Sequence, residues 1–227
     1  MKISGLQKLT LLDYPGKVAC TVFTPGCNLR CPFCHNASLV FSCAGEIDEE
    51  TIFSFLKKRT GVLDGMCVTG GEPLLQKDIA DFLSKVKALG YLVKLDTNGT
   101  FPDRLQPLLE EKLVDYVAMD IKASPDNYDN ATGVVTDLEK VRRSVELLKG
   151  SGVPHEFRTT TVKGIHTAQD FEAIAQWLAG EEQFFIQQYK VADDMIGDAF
   201  ESFSKEELEA FAAIVAKTVK TVAVRGV

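Results

Sequence analysis

The chain has 227 residues, 45% of them hydrophobic and 25% charged, the make-up of one globular domain with a substantial core. Its formal net charge of −7, with no run of Lys and Arg, excludes a surface that tracks nucleic-acid phosphates. No apolar stretch approaches the roughly 20 residues of a membrane span, and Lys2 and Lys8 interrupt any leader-like start, so the expectation is a soluble cytoplasmic protein with no membrane partner and with reduced thiols.

Taken in chain order, LTLL (9–12), the turn signal Tyr14-Pro15-Gly16-Lys17 and VACTVF (18–23) read as a small hairpin leading into the first main strand. MCVT (66–69), YLVKL (91–95), YVAM (116–119), EFRTTTV (156–162) and FFIQQY (184–189) continue the series of β-branched, apolar runs. Apolar residues at helical spacing predict helices over 48–59, 77–89, 103–111, 137–149, 168–178 and 204–218, and 219–224 offers a further edge strand. Strands separated by single helices pair in parallel, which gives a doubly wound sheet or a full or partial barrel. The expected organisation is a single α/β domain over 1–227, with an N-terminal hairpin extension (1–17), a barrel core (18–190) and a C-terminal helix and strand (191–227).

The polar motifs fall where such a fold builds its sites. CNLRCPFCHN (27–36) follows the first main strand, Gly70-Gly71-Glu72-Pro73 the second, Asp96-Thr97-Asn98-Gly99 the third, and Asp120-Ile121-Lys122 closes the fourth. All lie at carboxyl ends of strands, so they are expected to converge on one site.

Cys27, Cys31 and Cys34 are spaced C-x3-C-x2-C, and thiolates are soft ligands for iron-sulfur clusters, zinc or copper(I). Three thiolates can hold three irons of a cubane and leave the fourth iron open. The competing reading is a zinc site completed by His35 or by Cys43. Cys20 and Cys67 sit in apolar strand runs and read as small buried hydrophobes, whereas Cys43 lies in a loop as an oxidisable bystander. His155 and His166 have no cysteine neighbours in sequence and read as ordinary polar residues; the pair Phe184-Phe185 reads as core.

The two glycines of GGEP let backbone approach a ligand closely, and Glu72 supplies an acceptor for an ammonium group; the same four residues also suit a plain strand-to-helix turn. Asp96 and Asp120, from neighbouring strands, would repel unless a cation or a shared proton lies between them, although each alone suits a cap or turn. Arg158 stands inside a strand-like run, where an unpaired charge is costly to bury, so it calls for an anionic partner or an edge position facing solvent.

The cysteine spacing with Phe33 before the last cysteine, a strand ahead and GGEP behind, resembles the radical S-adenosylmethionine (SAM) enzymes. CHN, DTNG and DIK narrow the likeness to the activating enzymes of glycyl-radical enzymes, and LTLLDYPGKVACTVFTPGCNLRCPFCHN is most similar to the activating proteins of anaerobic ribonucleoside-triphosphate reductases. The likeness spans nearly the whole chain and weakens after residue 165. It implies a partial (β/α)6 barrel with parallel strands and a 4Fe-4S cluster on Cys27, Cys31 and Cys34 whose open iron is chelated by SAM. It also implies SAM contacts from Phe33, Gly70, Gly71, Glu72, Asp96, Thr97, Asp120, Lys122 and Arg158, with a monovalent cation held by Asp96 and Asp120. The implied reaction is reductive cleavage of SAM to a 5'-deoxyadenosyl radical that takes hydrogen from a glycine of a partner enzyme, an anaerobic ribonucleotide reductase. The electron would come from a donor such as flavodoxin or ferredoxin. Where the family often carries a histidine, this chain has Gln187, Gln188 and Tyr189, which leaves the ribose and adenine contacts open. Two other readings remain: a radical SAM enzyme acting on a small molecule, like 7-carboxy-7-deazaguanine synthase, and a non-enzymatic iron-sulfur electron carrier.

Overall fold

The computed structural model describes residues 1–42, 44–197 and 200–227. One eight-stranded sheet carries the chain, with its strands in strictly sequential order. β1 (Gly5–Thr10) pairs antiparallel with β2 (Ala19–Thr24). From there β3 (Gly65–Gly70), β4 (Leu92–Thr97), β5 (Tyr116–Asp120), β6 (His155–Thr161), β7 (Gln183–Gln188) and β8 (Thr221–Arg225) follow, each parallel to its predecessor. Nothing pairs β8 back to β1, so the barrel stays open on that side.

The helices are α1 (Ala37–Phe41), α2 (Glu49–Lys58), α3 (Ile79–Ala88), α4 (Pro102–Glu110), α5 (Tyr128–Thr132), α6 (Leu138–Ser151), α7 (Ala168–Trp177) and α8 (Lys205–Val215). Their sequences explain where they start. Asp48 accepts a hydrogen bond from the Thr51 amide at 2.6 Å to open α2, which carries Glu49 and Glu50 in its first turn and Lys57 and Lys58 in its last, both favourable to the helix dipole. Ser204 and Glu207 cap α8 reciprocally.

The strands and longer helices lie where hydrophobic periodicity predicts, with three differences. The hairpin strand begins at Gly5 and stops at Thr10, so Leu11 and Leu12 are exposed instead of paired. The reason is local: the Thr10 hydroxyl accepts from the amides of Leu12 and Asp13, at 3.2 and 3.1 Å, and turns the chain out of the strand. The last run takes the edge position expected of it, pairing with β7 in parallel, which brings the parallel set to seven strands where a (β/α)6 barrel has six. Helices α1 and α5 were not expected, because five residues are too few to display a period.

Alternation along the strands divides the sheet into two unlike faces. Val68, Val93, Leu95, Val117, Met119, Phe157 and Phe184 are fully buried in the main apolar core, which also contains residues of the helices such as Leu56, Phe82, Leu105, Val145 and Phe171. The intervening residues, including Lys94, Asp96, Asp120, Glu156 and Arg158, put charge on the other face. Low on that face, the buried Glu156 takes two bonds from Arg225 at 2.8 and 2.9 Å and one from the Tyr116 hydroxyl at 2.9 Å. The Arg225 guanidinium also lies 3.3 Å from the centre of the Phe185 ring of β7, so Arg225 ties the edge strand β8 across β7 to Glu156 of β6. Arg225→Ala is therefore expected to cost about 2 kcal/mol in urea unfolding, because it strands the Glu156 charge. Adding Glu156→Gln should recover part of the loss; equal losses in the single and double variants would contradict this account.

Candidate active site at the carboxyl end of the sheet

The four motif segments meet around one cavity of about 570 Å³, within the range of small-molecule sites. Cys27, Phe33, Cys31 and Cys34 form one wall, Gly70 and Gly71 another, and Asp96, Thr97, Asp120, Lys122 and Arg158 a third. Gln187 and Gln188 of β7 also reach it. Of the residues expected at the site, Glu72 alone is not in the wall.

The start of the cysteine loop is fixed by GGEP backbone. The Glu72 amide donates to the Gly26 carbonyl at 2.7 Å and the Gly71 amide to the Thr24 carbonyl at 2.9 Å. A Cβ on Gly71 would stand 1.9 Å from the Gly26 oxygen, and Gly70 adopts φ +115° against Thr24, so no larger residue fits either position. The glycines thus permit close approach of the chain to itself as well as lining the cavity.

Glu72 turns behind this wall. Its carboxylate, completely buried, accepts from the Leu74 amide (3.0 Å), the Thr97 hydroxyl (2.8 Å) and the Asn98 amide (2.7 Å). Burial outweighs these three donors and pushes it up to about 7. Asn98 carries the connection onward: its side chain donates to Asn28 at 3.0 Å and lies 3.9 Å from the Cys27 sulfur, while Asn28 donates to Thr100 at 2.9 Å. The sequence reading missed Asn28 and Thr100, which are 72 positions apart and carry no sequence signal of their meeting.

On the opposite side, the loop is held by backbone bonds from the Gly197 amide to Pro32 (2.9 Å) and from the Ile196 amide to Cys34 (3.2 Å). Phe33 meets the His166 ring edge-on, with centroids 6.0 Å apart. His166 accepts from the Val162 amide through Nδ1, so its Nε2–H donates to the Lys122 carbonyl, at 2.8 Å, and steadies the loop after β5. It serves as a structural link. His155 is placed away from the cavity, bonded to Glu181 at 2.9 Å. Cys20 and Cys67 are buried in the strands, and Cys43 lies outside the described residues.

Arg158 stands between the two aspartates, its Nε 2.5 Å from Asp120 and its Nη2 3.2 Å from Asp96. Lys122 takes the other Asp120 oxygen at 2.8 Å, and Lys94, almost wholly buried, pairs with the other Asp96 oxygen. Burial opposes both carboxylate charges, yet Arg158, with Lys94 and Lys122, holds both below the usual carboxylate range. Three cationic side chains thus meet two carboxylates; Lys122 and Arg158 line the cavity, as do Asp13 and Lys190, whereas Lys94 is buried behind it.

The sequence profile of the Radical SAM superfamily matches residues 21–178, which include the cysteine loop, GGEP, both aspartates and Arg158. The chain belongs to the radical SAM superfamily. A protein of Methanocaldococcus jannaschii, provisionally assigned as a glycyl-radical enzyme activating enzyme, is 34% identical over 196 residues, 84% of this chain and 81% of its own. The pyruvate formate-lyase-activating enzyme of Clostridium pasteurianum is 32% identical over 58% of this chain and 57% of its own. These relatives put the chain in the glycyl-radical activating family of radical SAM oxidoreductases. Among solved structures, Streptococcus suis SuiB bound to S-adenosylmethionine superposes with TM-score 0.71 at 13% identity, over 91% of this chain and 52% of that one. A domain of the Bacteroides vulgatus pyruvate-formate lyase-activating enzyme gives 0.54 at 19% identity, over 71% of this chain and 99% of that one. These two likenesses concern the fold alone.

Radical SAM enzymes use a 4Fe-4S cluster and SAM, and the cavity fits both. Among the described residues no three His, Cys, Asp or Glu side chains close on a single ion; Cys43, one of the two residues offered to complete a zinc site, lies outside them. Cys27, Cys31 and Cys34 all line the one cavity, where each could take a separate iron. Burial pushes the Cys27 thiol up and the Cys31 thiol up to about 12, so loading a cluster must displace their protons. Lys122 and Arg158 are cations of the lining that a methionine carboxylate could meet. A monovalent cation is less well provided for, since all four oxygens of Asp96 and Asp120 already face cationic donors.

The charge cluster makes a signed prediction. A carboxylate with a depressed folded-state pKa contributes stability above its unfolded value, near 4, and loses it as pH falls. Arg158→Gln should therefore cost about 3 kcal/mol near pH 7 and progressively less below about pH 4. Denaturant titrations of both proteins from pH 3 to 8 measure the gap, and a gap independent of pH would contradict the arrangement.

Proposed function

We propose that this protein is a radical SAM activase that reductively cleaves SAM at a 4Fe-4S cluster held by Cys27, Cys31 and Cys34 and generates a glycyl radical on an anaerobic ribonucleoside-triphosphate reductase. The observation that carries the reading is the cysteine loop sharing one cavity with the cations Lys122 and Arg158 at the carboxyl end of the sheet. CHN, DTNG and DIK support the protein-activating branch, and the resemblance of residues 9–36 supports the choice of partner.

In this reading Gly70 and Gly71 present backbone to the methionine amino group while Glu72, through Thr97 and Asn98, holds that backbone and the DTNG turn in place. Lys122 and Arg158 receive the methionine carboxylate, with Asp96 and Asp120 keeping both cations aimed at it. Phe33 shields the cysteine loop from water against His166. Cys27, Cys31 and Cys34 would hold the cluster, whose chemistry there would be the delivery of a single electron for reductive cleavage of SAM, leading to hydrogen abstraction from a glycine. No side chain need act as acid or base, because the transfer moves a hydrogen atom. The protein works in the cytoplasm, with flavodoxin or ferredoxin as electron donor. No helix of the described residues is long and apolar enough to cross a membrane.

Mixing the anaerobic, reduced protein with SAM and an anaerobic ribonucleotide reductase from the same cell should give the electron paramagnetic resonance doublet of a glycyl radical. The doublet should vanish when the reductase glycine is changed to alanine. SAM cleavage without spin on the reductase would move the protein to another partner or to a small-molecule substrate.

A further inference from the structure

Lys94, in the middle of β4, is 2% exposed. A buried ammonium is tolerated only where an anion meets it. Its Nζ bonds Asp96, two residues further along the same face of the strand, and lies 3.8 Å from the sulfur of Cys67, its register partner on β3.

The second Asp96 oxygen lies 3.2 Å from Nη2 of Arg158, whose Nε meets Asp120 at 2.5 Å, and the second Asp120 oxygen takes Lys122 at 2.8 Å. The five charges alternate in one line, Lys94, Asp96, Arg158, Asp120, Lys122, that runs from behind the cavity into its lining. Arg158 of β6 reaches Asp96 of β4 across β5, where the register partner of Asp96 is the small Ala118.

Two converging aspartates by themselves call for a cation. A monovalent metal ion would have to take oxygens that already accept charge-assisted hydrogen bonds, and would stand beside fixed cations of its own sign. The ammonium of a lysine carries the same single charge as such an ion and is tethered in place.

We propose that the Lys94 ammonium is a built-in counter-ion, a positioning group that takes the place of a monovalent metal ion at Asp96 and, through Asp96, keeps Arg158 in the cavity wall. Its bearing on SAM rests on the function proposed above; the indifference of the folded chain to monovalent ions does not.

The test compares potassium, sodium and tetramethylammonium chlorides at equal ionic strength, the last cation being too bulky to sit between carboxylates. Two quantities are read in each salt: the melting temperature of the cluster-free protein and the rate of SAM cleavage by the reconstituted protein. In the parent neither should depend on the salt. Lys94→Met keeps an unbranched side chain of similar length and leaves Asp96 one cation short. This variant should melt about 3–6 °C higher in potassium or sodium than in tetramethylammonium, the shift due to an ion at about ten times its dissociation constant. Its SAM cleavage should recover in the same salts. Adding Asp96→Asn should abolish the response, which separates an ion held by the carboxylate from a general effect of the salt. A parent whose melting or cleavage requires potassium or sodium overturns the proposal without any variant. So does a Lys94→Met protein that ignores those ions. If the parent cleaves no SAM in any salt, the function proposed above fails, while the melting comparison still decides the role of Lys94.

Discussion

The contact between the backbones of Gly71 and Gly26 is the constraint on which the site depends. With no room for a Cβ between them, the end of β3 and the start of the cysteine loop lock at a fixed distance, joined by the bond from Glu72 to Gly26. From that contact the geometry propagates through hydrogen bonds. Glu72 grips Thr97 and Asn98, Asn98 grips Asn28, and Asn28 grips Thr100, so the ends of β2, β3 and β4 and the loop beyond form one rigid unit. A loop of short cysteine spacing could adopt many shapes alone. Here its conformational entropy is already spent on folding, which leaves the thiols preorganised along one cavity wall.

The second constraint is electrostatic. Five charged side chains, Lys94, Asp96, Asp120, Lys122 and Arg158, crowd the floor and wall of the cavity, where an isolated charge would be prohibitively costly. They are tolerated because each carboxylate oxygen has a cation and the main apolar core lies on the other face of the sheet. This arrangement adds little net stability. Its value lies in Lys122 and Arg158 held at fixed places, ready for an anionic group of a ligand, with no side chain needing to reorganise.

Much of this was legible in the sequence, for physical reasons that differ by residue. The strands are visible because β-branched runs bounded by polar motifs have few other uses, and Cys27, Cys31 and Cys34 are visible because thiols at that spacing have almost none. Arg158 announces an anionic partner by sitting inside a strand, and Asp96 and Asp120 announce a cation by being brought together; the sequence does not reveal that each is the other's answer. Lys94, within YLVKL, carried the same signal and passed unread. Glu72 was read for its charge, whereas its surroundings give it a structural grip on the next loop. Asn28 and Thr100 could not be found, because their roles arise from contacts between segments far apart in the chain.

The central claim is that three cysteines hold a cluster and leave one iron for SAM. It is tested most directly by Mössbauer spectroscopy of the anaerobically reconstituted protein with and without SAM, alongside Cys27→Ser, Cys31→Ser, Cys34→Ser and Cys43→Ser. The account predicts about four irons per chain, one of which changes its spectrum when SAM is added, loss of the cluster in each of the first three variants, and an unaltered cluster in the fourth. A cluster lost in Cys43→Ser, or four irons indifferent to SAM, would contradict it and make the site a closed electron carrier.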